Sequence, residues 1–426
     1  MRILRDDNWQ EQLRLIVDLM RDMSLQTDPQ EMVRSYAEKM RVLLPNDGRM
    51  SLSRRGLTAP TYRITRSTTW QENINPWKEK SRLPLFGGGL LSKLIYANQP
   101  QVIDELEVSS DDPAYEYLAP HRSLMAIPMF DQGVALNMVV LLRSQPFAFA
   151  KEELPEVVWL SNLFGRAANN LVMAEDLQRA NQALDREMKA VGEIQRSLLP
   201  AKIPSIPTLD LATHYQPSHR AGGDYYDFFP LSIGRWGIFI GDVSGHGTPA
   251  AVLMAVTHCM AHTNPDSAQT PSQILGYLNH HLATLYTNQT GRFITAFYGI
   301  YDPHERTLHY ACAGHNPPRL KRCQDGSLLD LNQAGGLPLG IIADTIYVEA
   351  LQQLQPGDQI VFYTDGIIEA RNTAGKLYGT ESLDQVLENC ALQASSLLEA
   401  VLQSVEDFVE GHPADDDRTL IVARVS

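Results

Sequence analysis

The sequence predicts an α+β protein: two folded parts joined by one long helix. Three observations predict it. The chain has 426 residues, which at about 150 residues per domain suits two or three domains. Residues 154 to 198 carry helical heptads with almost no breaker. Short β-like runs dominate from residue 208 onward, whereas helical and strand patterns alternate before residue 150. Apolar residues at 44% and charged residues at 20% fit a folded chain and exclude wholesale disorder. No uninterrupted apolar run reaches about 18 residues, so no membrane-spanning helix is expected. Asp6 and Asp7 stand where a signal peptide needs its apolar segment, which argues against secretion.

In the first part, Leu13, Ile16, Val17 and Met20, then Met32, Val33, Tyr36, Met40 and Leu43, recur at helical spacing across residues 9 to 44. Thr27-Asp28-Pro29 between them reads as an N-cap followed by Pro at the first helical position. Residues 48 to 72 suit strands and turns, and Leu83 to Gly89 reads as a breaker-rich loop. A helix over Leu90 to Ala97 and a strand over Gln101 to Ile103 follow. Ser123 to Met129 and Val134 to Leu142 read as strands joined by Asp131-Gln132-Gly133. Arg49, Arg54, Arg55, Arg63 and Arg66 occur with no acid between Gly48 and Gln71. That stretch suits a solvated hairpin face or a contact with an acidic partner or ligand.

Val157, Leu160, Phe164, Ala167, Leu171 and Ala174 alternate in steps of three and four. Leu177 slips by one step of three, and Leu184, Met188, Val191, Ile194 and Leu198 resume the seam. This pattern suits a coiled-coil dimer with a local stammer, or a single helix packed on its own domain. Pro200, Pro204 and Pro207 stop it. Beyond them, strands are expected at Tyr225 to Phe229, Trp236 to Ile240, Phe293 to Ile300, Thr307 to Ala311, Gln359 to Tyr363 and Thr419 to Val425. Helices are expected at Pro249 to His262, Ser272 to Tyr286 and Ala391 to Val409.

The net charge of −14 is concentrated: residues 200 to 426 hold 12 Lys+Arg against 24 Asp+Glu. A surface of that sign does not suit nucleic acid, which needs cations to displace counterions. It suits hard divalent cations if the acids converge. Asp242 follows WGIFIG, Asp365 follows QIVFYT, and Asp416 precedes TLIVARV by two residues. Strand ends aim side chains into a common cleft, and the neighbouring glycines let backbone approach a ligand. Asp224 follows Gly222-Gly223, with Asp227 three residues on. An all-oxygen ligand set points to Mn²⁺ or Mg²⁺ rather than Zn²⁺, and two such ions would make a hydrolytic centre for phosphoesters. The four cysteines form no CxxC pair, which argues against a disulfide framework or zinc ribbon and fits a reducing cytoplasm. Gly241 to Thr248 lacks the Lys of a phosphate loop, and Ser244 lacks a nucleophile elbow. His246 reads as a loop residue or a base, and His280-His281 as a solvated helix face.

Residues 192 to 426 resemble the SpoIIE-like branch of the metal-dependent serine/threonine phosphatases, the protein phosphatase 2C superfamily. The resemblance rests on EIQRSLLP (193 to 200), GGDYYD (222 to 227), GDVSGHG (241 to 247), TDG (364 to 366) and DDRT (416 to 419). AGHNPP (313 to 318) and GLPLG (336 to 340) add to it. It implies an αββα sandwich in which Asp242 bridges two Mn²⁺ or Mg²⁺ ions. Val243 would add its carbonyl, Asp365 and Asp416 would bind one ion, and Asp224 would help hold the other. It implies hydrolysis of phosphoserine or phosphothreonine by a metal-activated water, on a partner-switching protein of the anti-sigma-factor antagonist kind. Arg220 is the candidate for the phosphate. Residues 10 to about 175 more loosely resemble a GAF sensor domain, through HRSLMAIPMFDQGVALNMVVLL (121 to 142) and residues 147 to 171.

The sequence reading is therefore a GAF-like sensor domain (1–160), a helical coiled-coil linker (161–199) and a metal-dependent phosphatase domain (200–426). It makes the protein a cytoplasmic homodimer that answers an unidentified small-molecule or protein signal. A phosphoprotein-binding scaffold without turnover and a small-molecule phosphohydrolase are the alternatives.

Overall fold

A computed structural model describes residues 9–264, 270–288 and 290–426. Asp6 and Asp7 lie outside the described residues. The chain forms two compact units, one ending at Asn181 and one running from Gln182 to Ser426.

The first unit begins with α1 (Trp9–Leu25) and α2 (Pro29–Leu43). Asp28 caps α2 as its sequence suggests: the carboxylate accepts from the backbone N–H groups of Gln30 and Glu31, with Pro29 following. Next come β1 (Gly48–Ser53), β2 (Thr61–Ser67), β3 (Leu85–Gly87), α3 (Gly89–Ala97), β4 (Gln101–Ile103), α4 (Tyr115–Leu118), β5 (Ser123–Asp131) and β6 (Val134–Arg143). The strands make one antiparallel sheet in the order β3-β2-β1-β6-β5-β4. Alternation fixes its faces. Leu52, Tyr62, Ile64, Ala126 and Val140 are buried with Leu91, Leu94 and Ile95 of α3. Met125, Ile127 and Leu141 turn the other way, towards Leu44, Phe149 and Val157. The expected loop at Leu83 to Gly89 contains β3, which pairs with β2 over three residues, too short to show a period.

Helix α5 runs from Leu154 to Leu198. On its early turns Val157, Phe164 and Ala168 are buried while Trp159 and Leu163 are exposed, and Phe164 stacks on Tyr36 of α2 at 3.8 Å. Later on the helix Leu177 and Leu184 are exposed.

The second unit holds β7 (Leu209–Gln216), β8 (Tyr225–Pro230), β9 (Trp236–Val243), α6 (Thr248–Thr263), α7 (Pro271–Leu282), β10 (Ile294–Asp302), β11 (Thr307–Ala313), β12 (Arg319–Lys321), β13 (Leu328–Asp330), β14 (Glu349–Gln353), β15 (Gln359–Tyr363), α8 (Asp365–Ile368), α9 (Gly379–Val386), α10 (Ala394–Val409) and β16 (Arg418–Val425). Two five-stranded antiparallel sheets result, β14-β11-β10-β9-β8 and β13-β12-β15-β16-β7. They share a core. Ile360, Phe362, Ile421 and Ala423 point to Phe297 and Ile240 of the facing sheet. The alternate residues Val361, Tyr363, Leu420 and Val422 point out to Leu397, Val401 and Val405 of α10. Helices α6 and α7 lie against the first sheet, so the order of layers is helix, sheet, sheet, helix. Among the described residues no helix is long and apolar enough to cross a membrane.

Three details depart from the sequence reading. The edge strands β13 and β14 were not expected, because LLD is only three residues long, EALQQ is mostly polar, and both are half exposed. The strand β7, with its weak alternation, was not expected either. The cysteines are not all free: Cys323 and Cys390 form a disulfide with Cα atoms 5.6 Å apart, and Cys259 and Cys312 stay reduced. A separation of 67 residues leaves no spacing signal, since only the fold brings the pair together. Closing a loop of that length restricts the unfolded chain by about 4 kcal/mol. Cys323→Ser is therefore expected to lower the denaturation midpoint, and reductant to lower that of the parent but not of the variant. Equal midpoints for parent and variant without reductant would show that the bridge does not form.

Candidate metal centre

Antiparallel pairing decides where the acids meet. Tyr225 at the start of β8 pairs with Gly241 near the end of β9, so Asp224 and Asp242 are neighbours. In the facing sheet Tyr363 at the end of β15 pairs with Leu420 near the start of β16, which brings Asp365 beside Asp416. The four acids thus gather at one end of the sandwich, two from each sheet. They grade from core to rim: Asp224 is 1% exposed, Asp242 and Asp365 are half-buried, and Asp416 is exposed.

Asp224 joins the sheets. Its Oδ2 accepts from Thr364 Oγ1 at 2.7 Å and from Thr419 Oγ1 at 2.5 Å, both in the second sheet's segments. Its Oδ1 is buried with no hydrogen-bond partner. A bare carboxylate oxygen at such depth is costly unless a cation or proton meets it. Burial and then the repulsion of Asp242 push Asp224 well above the usual carboxylate range. Burial, then Asp365 and Asp416, push Asp242 up to about 8. Burial, then Asp416 and Glu369, push Asp365 up to about 6. Burial also raises Asp416. A set of oxygen donors that repel one another, one of them unpartnered, fits hard divalent cations.

Small residues keep the gap narrow. A side chain on Gly223 would place its Cβ 2.8 Å from the carbonyl oxygen of Val243, and one on Gly366 would place it 2.0 Å from that of Asp417. Sequence reasoning missed the roles of three neighbours. Asp417, 2% exposed, is a brace: it accepts from the N–H groups of Ser218 at 2.8 Å and Gly223 at 2.6 Å. Gln195, near the end of α5 and 3% exposed, donates to Gly222 O at 2.8 Å and accepts from Gly222 N at 2.9 Å. Its amide also donates to Tyr215 Oη at 2.9 Å. The motif EIQRSLLP held that signal without showing its partner. Arg292 donates to Ser244 O at 2.8 Å, beside the loop that follows Asp242.

Arg220 does not join the acids. Its Nε donates to Asp185 of α5 at 2.8 Å, and the side chain is half exposed. His246 lies in the loop, its ring 4.9 Å from that of His219. His315 of AGHNPP is buried and held neutral, pushed down to about 4 by burial, and its Nδ1 meets Thr295 Oγ1 at 2.9 Å. Thr295 is the strand partner of Asp242. Asp227 stands apart from the cluster, taken up by Tyr225 Oη and His262 Nε2, both at 2.7 Å.

The family described as Stage II sporulation protein E (SpoIIE) matches residues 232–426. The phosphoserine phosphatase RsbU of Bacillus subtilis (strain 168) is 32% identical over 255 residues, which are 59% of this chain and 73% of RsbU. The chain belongs to the SpoIIE family of PP2C phosphatases. The phosphoserine phosphatase RsbP of the same organism is 25% identical over 242 residues, covering 56% of this chain and 58% of RsbP. Among solved structures the SiaA-PP2C domain of Pseudomonas aeruginosa aligns with a TM-score of 0.51 at 20% identity, over 58% of this chain and 99% of that domain. That likeness is one of fold.

The raised carboxyl groups set a pH dependence. Without cations the native state binds more protons than the unfolded chain between the usual carboxylate range and about pH 8. Stability from this cluster is therefore present at low pH and lost as pH rises through that window. Cations reverse the loss by binding the ionised acids. The melting-temperature gap between Mn²⁺-treated and EDTA-treated protein is expected to widen from pH 5 to pH 8, and to stay flat in Asp242→Asn. A gap independent of pH in the parent would contradict this.

Proposed function

We propose that the protein is a cytoplasmic serine/threonine phosphatase acting on a phosphorylated partner-switching protein of the anti-sigma-factor antagonist kind. The carrying observation is the convergence of Asp224, Asp242, Asp365 and Asp416 from two facing sheets, with Asp224 Oδ1 unpartnered in the core. Asp242, beside the other three, would bridge two cations, Mn²⁺ or Mg²⁺. Asp365 and Asp416 would hold one, Asp224 the other, and the Val243 carbonyl would complete the set. When bound, the ions supply an activated water and a clamp for phosphate oxygens.

The chain's own residues do the rest. Thr364 and Thr419 hold one oxygen of Asp224 and leave the other without a hydrogen bond. Asp417 and Gln195 fix the Gly222-Gly223 backbone that carries it. Arg220 and Arg292 are the cations we assign to the phosphate; Arg220 would first have to leave Asp185. The relatives' names support the substrate class, since both RsbU and RsbP are phosphoserine phosphatases.

Hydrolysis of an aryl phosphate and of a phosphoserine peptide is expected with Mn²⁺ and not with EDTA. Asp242→Asn is expected to lose on the order of 100-fold or more in kcat. A sugar phosphate turned over faster than the peptide would favour a small-molecule phosphohydrolase, and binding of the peptide without turnover would favour a scaffold.

We also propose that residues 1–160 form a GAF-like sensor domain and that residues 161–199 are a dimer linker which sets the activity of residues 200–426. The exposed seam residues Leu177 and Leu184 suit a second copy of the helix. Gln195 is where a shift of that helix would reach the site. Gln195→Ala removes both bonds to Gly222 and is expected to lower kcat about tenfold or more while weakening Mn²⁺ binding, with Gln195→Glu restoring neither. Unchanged metal affinity in Gln195→Ala would sever the helix from the site.

A further inference from the structure

The arginine-rich hairpin is solvated only in part: Arg55 is exposed, whereas Arg49, Arg63 and Arg66 are half-buried. It lines a cavity of about 480 Å³ in the first unit, between the β1-β2-β6-β5 sheet and helices α2 and α5. That size lies within the range of small-molecule sites, roughly 300–1,000 Å³. The opposite face of the same sheet is closed by α3 and by the fully buried Leu52, Tyr62 and Ile64.

The cavity has an apolar wall and a cationic wall. The first comes from Met40, Ile127 and Met129 with the stacked Tyr36 and Phe164 rings. The second comes from Arg49, Arg63 and Arg66, all half-buried. Nearby Arg55 and Arg166 face Asp131, at 2.7 and 3.5 Å. Asp131 and Asp176 also line the cavity, but among the described residues no carboxylate lies within ion-pair distance of Arg49, Arg63 or Arg66. Arg63 gives one N–H to Leu83 O, while its Nε is buried without a partner. Arg66 reaches only the neutral Gln30, at 3.2 Å, and lies over the Trp77 ring at 4.7 Å. Burial lowers the pKa of Arg49, and burial followed by the charge of Arg49 brings Arg66 down to about 10. Like charges held together half out of water destabilise a fold unless an anion joins them. Guanidinium forks match the paired oxygens of a carboxylate, sulfonate or phosphate.

We propose that this cavity binds a small amphipathic organic anion, with Arg49 and Arg66 on its acidic head and the Tyr36, Phe164 and Met40 wall on its apolar body. This deepens the sensor reading above and rests on it. Binding is measured apart from turnover, so that the two readings fail separately.

The probe is anilinonaphthalene sulfonate, titrated into the full chain in EDTA so that the metal centre contributes nothing. Calorimetry and dye fluorescence are expected to give one site per chain. Arg49→Gln and Arg66→Gln are expected to weaken it about tenfold or more, Arg66→Lys less, and the exposed Arg186→Gln not at all. The neutral analogue phenylnaphthylamine is expected to bind at least tenfold more weakly than the sulfonate. Inorganic phosphate is expected to displace the sulfonate from the parent protein, a readout that needs no variant to fold. Binding unchanged in both glutamine variants, equal affinity for the neutral analogue, or no displacement by phosphate would each overturn the proposal. If aryl phosphate turnover is absent while the sulfonate binds as described, the catalytic reading fails and this one stands.

Discussion

Mutual repulsion among carboxylates governs the catalytic half of this molecule. Asp224, Asp242, Asp365 and Asp416 sit close enough to raise one another's pKa, and Asp224 does so with almost no solvent to screen it. A fold that holds four acids so must either protonate them or surround them with cations. Much of the local architecture makes the second outcome available. Two threonines occupy one oxygen of Asp224 and leave the other bare. A fifth acid, Asp417, is turned aside into backbone N–H groups, where its charge braces a loop.

The sandwich makes that crowding possible because its strands are antiparallel. One strand's start lies beside its neighbour's end, so two sequence positions far apart arrive at one edge of the sheet. The same arrangement in the facing sheet doubles the number. The loops that carry the acids bear glycines because neighbouring strand ends of the same sheet bring a carbonyl oxygen too close for a Cβ at Gly223 and Gly366. Chain order thus has little to do with the site: Asp224 meets Thr419 across 195 residues.

Much of this was legible in the sequence. Nearly continuous apolar runs such as Gln359 to Tyr363 and Thr419 to Val425 give their strands away because both faces of the second sheet are covered. The acids announce themselves by standing where those runs begin or end. The Asp28-Pro29 helix start is a local matter of one side chain and two N–H groups, and is equally plain. Features decided by partners far along the chain are not. The edge strand β14 depends on β11 for its pairing, and its own residues show no period. The Cys323–Cys390 bridge carries no spacing rule. The ion pair of Arg220 with Asp185 on the long helix is likewise invisible in the sequence. The hairpin arginines read most easily as surface residues, because a β-strand's alternation marks which residues share a face but not whether that face meets water or a helix.

The bond pattern at Gln195 has one more consequence. A side-chain amide that both donates to and accepts from one peptide group acts as a two-point latch. Sliding it by a fraction of a residue would leave a buried N–H and a buried C=O of Gly222 without partners at once, so part-way positions are the least favourable of all. Under the linker role proposed above, such a latch would be either seated or released, and a torque on the helix would reach the glycine loop as one of two states rather than as a graded shift.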